Sequence, residues 1–555
     1  MAPLFKALEV VFELCVPLIV AAIIDVGIAR GDKGYILGRT GILLALGALG
    51  LISALAAQYF SARAACGFAR DVKSALFSHI GGFSYTDLDR LGTSRLITSL
   101  TSDVNQVQTG VNLTLRLFLR SPLVVFGAMV MALSIDVKAA VPFVIVIPVL
   151  SVVVFGIMLV SIPLYKRVQG ALDKVLGRTR ENLNGVRVIR AFCSEETEVA
   201  QFKEDNGLLT RAQKFVGRIS ALLNPVTYAI INLAIVLLVW KSAIQVDAGD
   251  LTQGQVVALW NYMSQILIEL IKLANLIITI TKAVACGNRI GAVMQTKPSQ
   301  SFPTEAPAEQ ADAPAIEFKN VSLSYHEDGE NALTDLSFSI KRGETVGVIG
   351  GTGSGKSSLV HMIPRFYDAT EGEVLVNGCN VQAYPKDVLL GKIGIVPQKT
   401  VLFRGSMRDN LKWGKENATD EECMTAIRRA QAEDVVNAKG GLDAEIEQNG
   451  RNLSGGQKQR LTIARALVRE PEILLLDDAA SALDFATDAA LRRALSEQSG
   501  TVVIVSQRIS SIRHADKILV LDDGALVGVG RHEELLSSCP VYAEIYDSQH
   551  KREEG

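Results

Sequence analysis

Residues 139–165 run for 27 positions without one Asp, Glu, Lys or Arg. Two further windows, 41–62 and 219–240, are uncharged over 22 positions each. Hydrocarbon offers backbone N–H and C=O groups no water, so segments of this kind must form helices that satisfy those groups internally. At about 1.5 Å per residue, such a helix crosses the ~30 Å apolar core of a bilayer. Three less pure windows extend the pattern. Residues 251–268 are uncharged over 18 positions but hold Gln253, Gln255, Asn261 and Gln265. Residues 121–135 are uncharged over 15 and need the positions from Leu117 to make a span. Residues 4–28 carry Lys6, Glu9, Glu13 and Asp25. Those acidic residues, with no basic stretch before them, argue against a cleaved secretory signal. The expectation is a membrane domain over 1–295 with spans at 4–28, 41–62, 117–135, 139–165, 219–240 and 251–275.

The segments between the spans alternate in length. Those at 30–40, 136–138 and 241–250 are short; those at 63–116 and 166–218 exceed fifty residues and are richer in Lys and Arg. The positive-inside bias puts the long ones in the cytoplasm. Both show helical apolar spacing mixed with charge, as at Phe68, Val72, Leu76 and Ile80. They read as membrane helices that continue into water and return. The chain balances 56 Lys and Arg against 58 Asp and Glu, which excludes a nucleic-acid-binding tail and an acidic disordered protein. Its seven cysteines form no CxxC pair, so neither a disulfide framework nor a zinc site is expected. Arg116 and Arg120, and Glu269 and Lys272, stand at membrane depth, where they either face a pathway or pair with one another.

Residues 296–314 change character, with Pro298, Pro303, Pro307 and Pro314 among Ala, Glu, Gln and Ser. This is an extended connector. A second domain over 315–555 follows. Its residues 345–349 have the pattern of a short buried strand. They lead into Gly350, Gly351, Thr352, Gly353, Ser354, Gly355, Lys356 and Ser357, with Ser358 opening a helical stretch. This is GxxxxGK[ST] in the strand–loop–helix setting that lets backbone N–H groups curl round phosphates. Lys356 would reach the β- and γ-phosphates and Ser357 would ligate Mg²⁺. Residues 472–476 form an apolar strand ending in Asp477 and Asp478, and an acidic residue there is placed to hold the same ion. Between them, Leu453, Ser454, Gly455, Gly456 and Gln457 form a turn ahead of a helical run, a second exposed helix end suited to a phosphate. Two such ends in one domain suggest that the second serves a nucleotide held by another chain.

Together these motifs resemble the ATP-binding cassette family, and the resemblance spans nearly the whole chain. The implied fold is a membrane α-helical domain of six transmembrane helices with long cytoplasmic extensions, plus an α/β P-loop ATPase domain. The implied cofactors are ATP and Mg²⁺. By the same resemblance, Tyr325 stacks on adenine and Gln398 contacts Mg²⁺ and links to the membrane domain. The loop 481–484, with Asp484, crosses a dimer interface. Residues 91–100 and 181–202 resemble the two cytoplasmic coupling segments. The cassette lies on the cytoplasmic side of a membrane, expected to be a bacterial plasma membrane.

Two positions depart from the pattern. Hydrolysing relatives carry Glu directly after the strand-end Asp, and this chain has Asp478. They carry a switch His after the next buried strand, and this chain has Gln507, its nearest histidine being His514. Asp is one methylene shorter than Glu, and Gln neither carries charge nor shuttles a proton. With both catalytic positions altered, the sequence predicts a slow site at this P-loop. A second half-transporter bearing Glu and His would then be the partner, in an exporter of amphipathic drug, lipid or peptide cargo. A homodimer using Asp478 as a weak base, and an ATP-gated membrane protein without pumping, stay open. No nucleic-acid partner is expected.

Overall fold

The computed structural model describes residues 1–325, 329–496 and 500–550. The chain divides into two units, Met1–Gly81 with Ser94–Thr296 and Gly82–Thr93 with Lys297–Gly555.

The first unit is helical. Six helices are long and apolar enough to cross a membrane: Ala2–Ile28, Lys33–Gly81, Thr93–Ile135, Val137–Asn184, Glu195–Asp247 and Gln253–Gln295. Five of them run for 43 residues or more, about twice the ~20 that hydrocarbon requires, so each continues beyond it as an extension. Pro142, Pro148 and Pro163 sit inside Val137–Asn184 without ending it, as membrane helices tolerate when neighbours resatisfy the freed carbonyls. Apolar packing is centred on Val124, Phe143, Leu238, Tyr262 and Met263. Large apolar side chains such as Leu44, Val152, Leu233 and Trp240 are exposed, as residues facing lipid would be.

The charged residues at membrane depth pair with one another. Arg120 bonds Glu13 at 2.8 Å and Glu269, with Glu9 at 3.6 Å. Ser121 and Lys272 complete Glu269 at 2.9 and 2.8 Å. Arg116 donates to Gln58. An unpaired charge in this setting is costly, so the cluster ties the first, third and sixth spanning helices together.

The second unit is an α/β domain. Its main sheet has the order Ala525–Gly530, Lys517–Asp522, Thr345–Gly350, Thr501–Val505, Ile473–Asp477, Ile393–Val396. All neighbours are parallel except the Ala525–Gly530 edge. Thr501–Val505 and Ile473–Asp477 are buried along their whole length, as parallel strands covered on both faces must be. A smaller antiparallel sheet runs Leu333–Ile340, Ile316–Leu323, Glu371–Val376, Cys379–Asn380. The connector has no helix or strand but is pinned to this unit. Glu309 bonds Tyr384 and Lys392, and Arg342 bonds the carbonyls of Gln310 and Ala313.

The segment Gly82–Thr93 belongs to this unit although it lies far away in sequence. Its helix Tyr85–Leu91 begins with a capping box between Ser84 and Asp87. Tyr85 stacks on Phe366 at 4.5 Å, and Tyr367 donates to Asp89 at 2.7 Å. The docking helix therefore ends where the expected stretch 91–100 begins. Helical spacing marks an amphipathic stretch but not which turn of it finds aromatic partners. The other expected stretch, 181–202, contains the short helix Val186–Ala191, none of whose residues is buried.

Asp87 is the polar centre of this docking. Burial alone would raise its carboxyl, but bonds from Ser299 N–H and from Ser84 N–H and Oγ outweigh that and lower it. A carboxyl lowered on folding stabilises above its unfolded pKa, and that contribution is lost as pH falls through the folded value. Asp87→Ala should therefore speed hydrogen exchange in 84–91 and 297–302 at neutral pH, with a smaller difference from the parent protein at pH 3–4. Unchanged exchange at neutral pH would contradict this role.

Candidate functional site

The site sits where the three central strands end. Thr345–Gly350 runs into the loop that begins the helix Lys356–Met362. Gly355, at φ +90°, makes the turn, and a Cβ there would lie 2.7 Å from the Ala332 carbonyl and from Leu333 Cδ2. Gly350 is equally constrained, since its Cβ would fall 2.1 Å from the Leu521 carbonyl. Lys356 Nζ folds back onto the carbonyls of Gly350 and Gly351 at 3.0 and 2.5 Å, and onto Ser354 Oγ at 3.3 Å. Burial pulls its ammonium below the usual lysine range, with Asp477 and Asp478 opposing. Phosphate oxygens would replace those carbonyl contacts with stronger, charge-assisted ones.

A cleft of about 360 Å³ opens at this loop, within the size range of small-ligand sites. Thr352, Gly353, Ser354, Gly355, Lys356, Ser357 and Ser358 line it. Tyr325, Gln398, Asp477, Asp478 and Gln507 complete it from the sequence-derived set, with Ala332 and Val505 added. Ser357 Oγ donates to Asp477 Oδ1 at 3.1 Å. Tyr325 is partly exposed, donates to Ser358 Oγ at 2.8 Å and meets the Tyr367 ring edge-on at 4.9 Å. Burial raises the carboxyls of both Asp477 and Asp478; Gln398 opposes this at Asp478. Asp478 adopts a left-handed φ of 49°, and its N–H bonds the Val505 carbonyl at 3.1 Å. It therefore leaves the sheet directly beside the strand that delivers Gln507.

The remaining predicted residues are elsewhere. Ser454 caps the helix Gly455–Leu467 through a capping box with Gln457. Gly456 packs so closely on the 481–484 loop that a Cβ would lie 3.0 Å from the Ala482 carbonyl. Leu453 is buried. Asp484 caps the following helix, bonding Thr487 N–H at 3.1 Å and Thr487 Oγ1 at 2.7 Å. None of these residues lines the P-loop cleft.

Sequence reasoning passed over three neighbours. His361 stands 4.0 Å from Asp477 Oδ2, and burial lowers its pKa. Its i+4 spacing from Ser357 on one helix was the available signal. Ala332 and Val505 line the cleft through backbone geometry and carry no signal in their side chains.

Comparison with known proteins agrees with this architecture. The pattern of the ABC transporter transmembrane region matches residues 1–270, and that of the ABC transporter cassette matches 333–481. An ABC transporter ATP-binding protein of Bacillus subtilis, YfiB, is 37% identical over 98% of this chain and 95% of its own length. The chain belongs to the ABC transporter family. A Mycobacterium tuberculosis ABC transporter ATP-binding protein, Rv1273c, is 36% identical over 99% of this chain and 95% of its own. YgaD of Bacillus subtilis, named for multidrug export, is 32% identical over 89% and 85%. The solved structure of a bacterial Atm1-family ABC exporter with ATP bound superposes with a TM-score of 0.81 at 25% identity, covering 99% of this chain and 97% of that one. This ABC protein is an exporter-type half-transporter, integral to the membrane, with a cytoplasmic ATPase domain that binds ATP and couples its hydrolysis to transport. Such exporters work as dimers.

Gly355→Ala should destabilise the cassette by about 1–3 kcal/mol through left-handed strain and the Ala332 clash. Thermal melting in lipid should show the loss, and azido-ATP labelling should fall with it. A variant with unchanged melting and labelling would contradict the loop geometry.

Proposed function

We propose that this half-transporter is the slow-site subunit of a heterodimeric exporter of amphipathic cargo. The observation that carries the reading is the placement of Asp478 and Gln507 in one cleft with Lys356, Ser357 and Asp477. Both catalytic positions thus face the phosphate loop, and both hold residues poorly suited to hydrolysis. A general base whose carboxylate stops short of the attacking water loses roughly 10²–10⁴ in rate. Gln507 offers an amide to the γ-phosphate but no proton transfer.

In this reading Thr352–Ser358 and Gly350–Gly351 cradle the phosphates, Lys356 neutralises them and Tyr325 stacks on adenine. Mg²⁺ is held by Ser357 and Asp477, with Gln398 beside them. Ser357 and Asp477 offer the hard oxygen donors this ion prefers. Phosphate oxygens and water would supply the remaining ligands, as is usual for this ion. When bound, the ion neutralises charge on the β- and γ-phosphates. Leu453–Gln457 and Asp484, outside this cleft, act at the partner's nucleotide, where Glu and His carry hydrolysis.

The membrane unit supports the amphipathic class of cargo. Lys6, Glu9, Gln58, Arg116, Arg120 and Lys272 line one pocket together with the apolar Ala54, Leu55 and Leu117. A polar head and an apolar body both find matching surface there.

Lys356→Ala should abolish azido-ATP labelling of this chain; persistent labelling would refute the P-loop assignment. Asp478→Glu combined with Gln507→His should raise ATP turnover by tenfold or more in lipid. Turnover equal to that of the parent would remove the slow-site reading. Ser454→Arg should stop hydrolysis at the partner's site while this chain still labels. Normal turnover in that variant would contradict a shared site.

A further inference from the structure

The loop that presents Gln507 leaves the sheet with few backbone partners. Its last sheet bond is Ser506 N–H to the Val348 carbonyl at 3.1 Å. Beyond it, Arg508 is extended, with φ −101° and ψ 123°. An extended segment needs a partner on one side, and here a side chain supplies it. Gln549 Nε2 donates to the Gln507 carbonyl at 2.7 Å, and Ile509 N–H donates to Gln549 Oε1 at 3.0 Å. The carbonyl only accepts and the N–H only donates, so a single orientation of the amide satisfies both. The side chain thus pairs with residues i and i+2 as a neighbouring strand would.

The amide is held in place. Gln549 lies on the helix Pro540–His550. That helix is anchored by fully buried Tyr542, whose hydroxyl is 2.7 Å from His532 Nδ1, and by Ile545 and Tyr546 against the core. On the opposite side, Arg508 reaches the Ser481 carbonyl at 3.3 Å and lies over the Phe485 ring. The loop bearing Gln507 is clamped between the helix Pro540–His550 and the loop after Ile473–Asp477.

We infer that Gln549 is a positioning residue that fixes the backbone from which Gln507 reads the γ-phosphate. The inference rests on the reading of the P-loop cleft as the ATP site. A histidine at this position could add charge to its contact. A neutral amide depends on hydrogen-bond geometry alone, which weakens steeply with misalignment. A slack backbone at Gln507 therefore costs ATP binding and leaves ADP binding untouched, because ADP has no γ-phosphate to read.

The test uses the full-length transporter in lipid nanodiscs, with concentration series of 8-azido-ATP and 8-azido-ADP labelling this chain. Gln549→Ala should weaken azido-ATP about three- to tenfold, the worth of one or two modest hydrogen bonds. Azido-ADP should stay within twofold. Gln549→Glu keeps the shape but loses the donor to the Gln507 carbonyl, and should show the same selective loss. In a Gln507→Ala background, Gln549→Ala should add nothing further to the ATP-to-ADP ratio. Unchanged azido-ATP affinity in either single variant, equal weakening of both nucleotides, or an additive loss in the double variant would overturn the inference. Lys356→Ala separates the two levels. If labelling persists in that variant, the ATP-site reading itself falls. If it is lost there while Gln549→Ala changes nothing, only the positioning role falls.

Discussion

Three parallel strands share one register, and the chemistry of the cassette hangs on it. Val505 lies opposite Val348 on one side and Asp477 on the other. Beyond this line the chain turns three times: into Asp478 and into Ser506 and Gln507 at once, and into the phosphate loop two residues on, after Gly350. A parallel ladder slipped by one residue would turn each of these side chains to the wrong face. Ile473–Asp477 and Thr501–Val505 are buried on both faces, so a slip would draw a polar residue at a strand end, Asp478 or Ser506, into that covered layer at a cost. Asp477, Asp478 and Gln507 therefore take their positions at the cleft from strand packing.

The membrane half meets a different constraint with the same economy. Hydrocarbon penalises unpaired charge, yet three of the spans carry charged side chains. Arg120 answers by engaging Glu9, Glu13 and Glu269 together. Such a cluster gives little net stability over an apolar core of equal volume. It does fix which faces of the first, third and sixth helices meet, because sliding any one of them strands a charge. Lys272 of this cluster and the neighbouring Arg116 both line a pocket.

Local motifs were legible in the sequence because their chemistry demands fixed spacing. Gly350–Ser357 has the spacing of a phosphate-binding loop, and the cleft brings Tyr325, Gln398, Asp477, Asp478 and Gln507 to the same loop. Five uncharged windows and the more polar stretch 4–28 marked six spanning helices, since a bilayer sets both their length and their composition. What stayed hidden depends on residues far apart in sequence. The clamp of Gln507 by Gln549 crosses 42 positions, and no periodicity announces a single amide on a helix end. The docking turn at Tyr85–Leu91 escaped for a similar reason: its partners Phe366 and Tyr367 are set by tertiary packing. Asp484 shows the converse, a motif residue whose side chain caps its own helix.

The attachment of Gly82–Thr93 to the second unit means that the ATPase domain is not one continuous stretch of chain. A polypeptide starting at Lys297 would lack the turn that stacks on Phe366 and bonds Tyr367. It would also leave the Ser299 N–H without its Asp87 acceptor. Two aromatic rings and a stripped backbone donor would then face water, a small adhesive patch of the kind that draws molecules together. In the intact chain, the membrane half supplies that cover from residues made more than two hundred positions earlier. The soluble-looking domain is therefore completed by a piece of the membrane protein that precedes it.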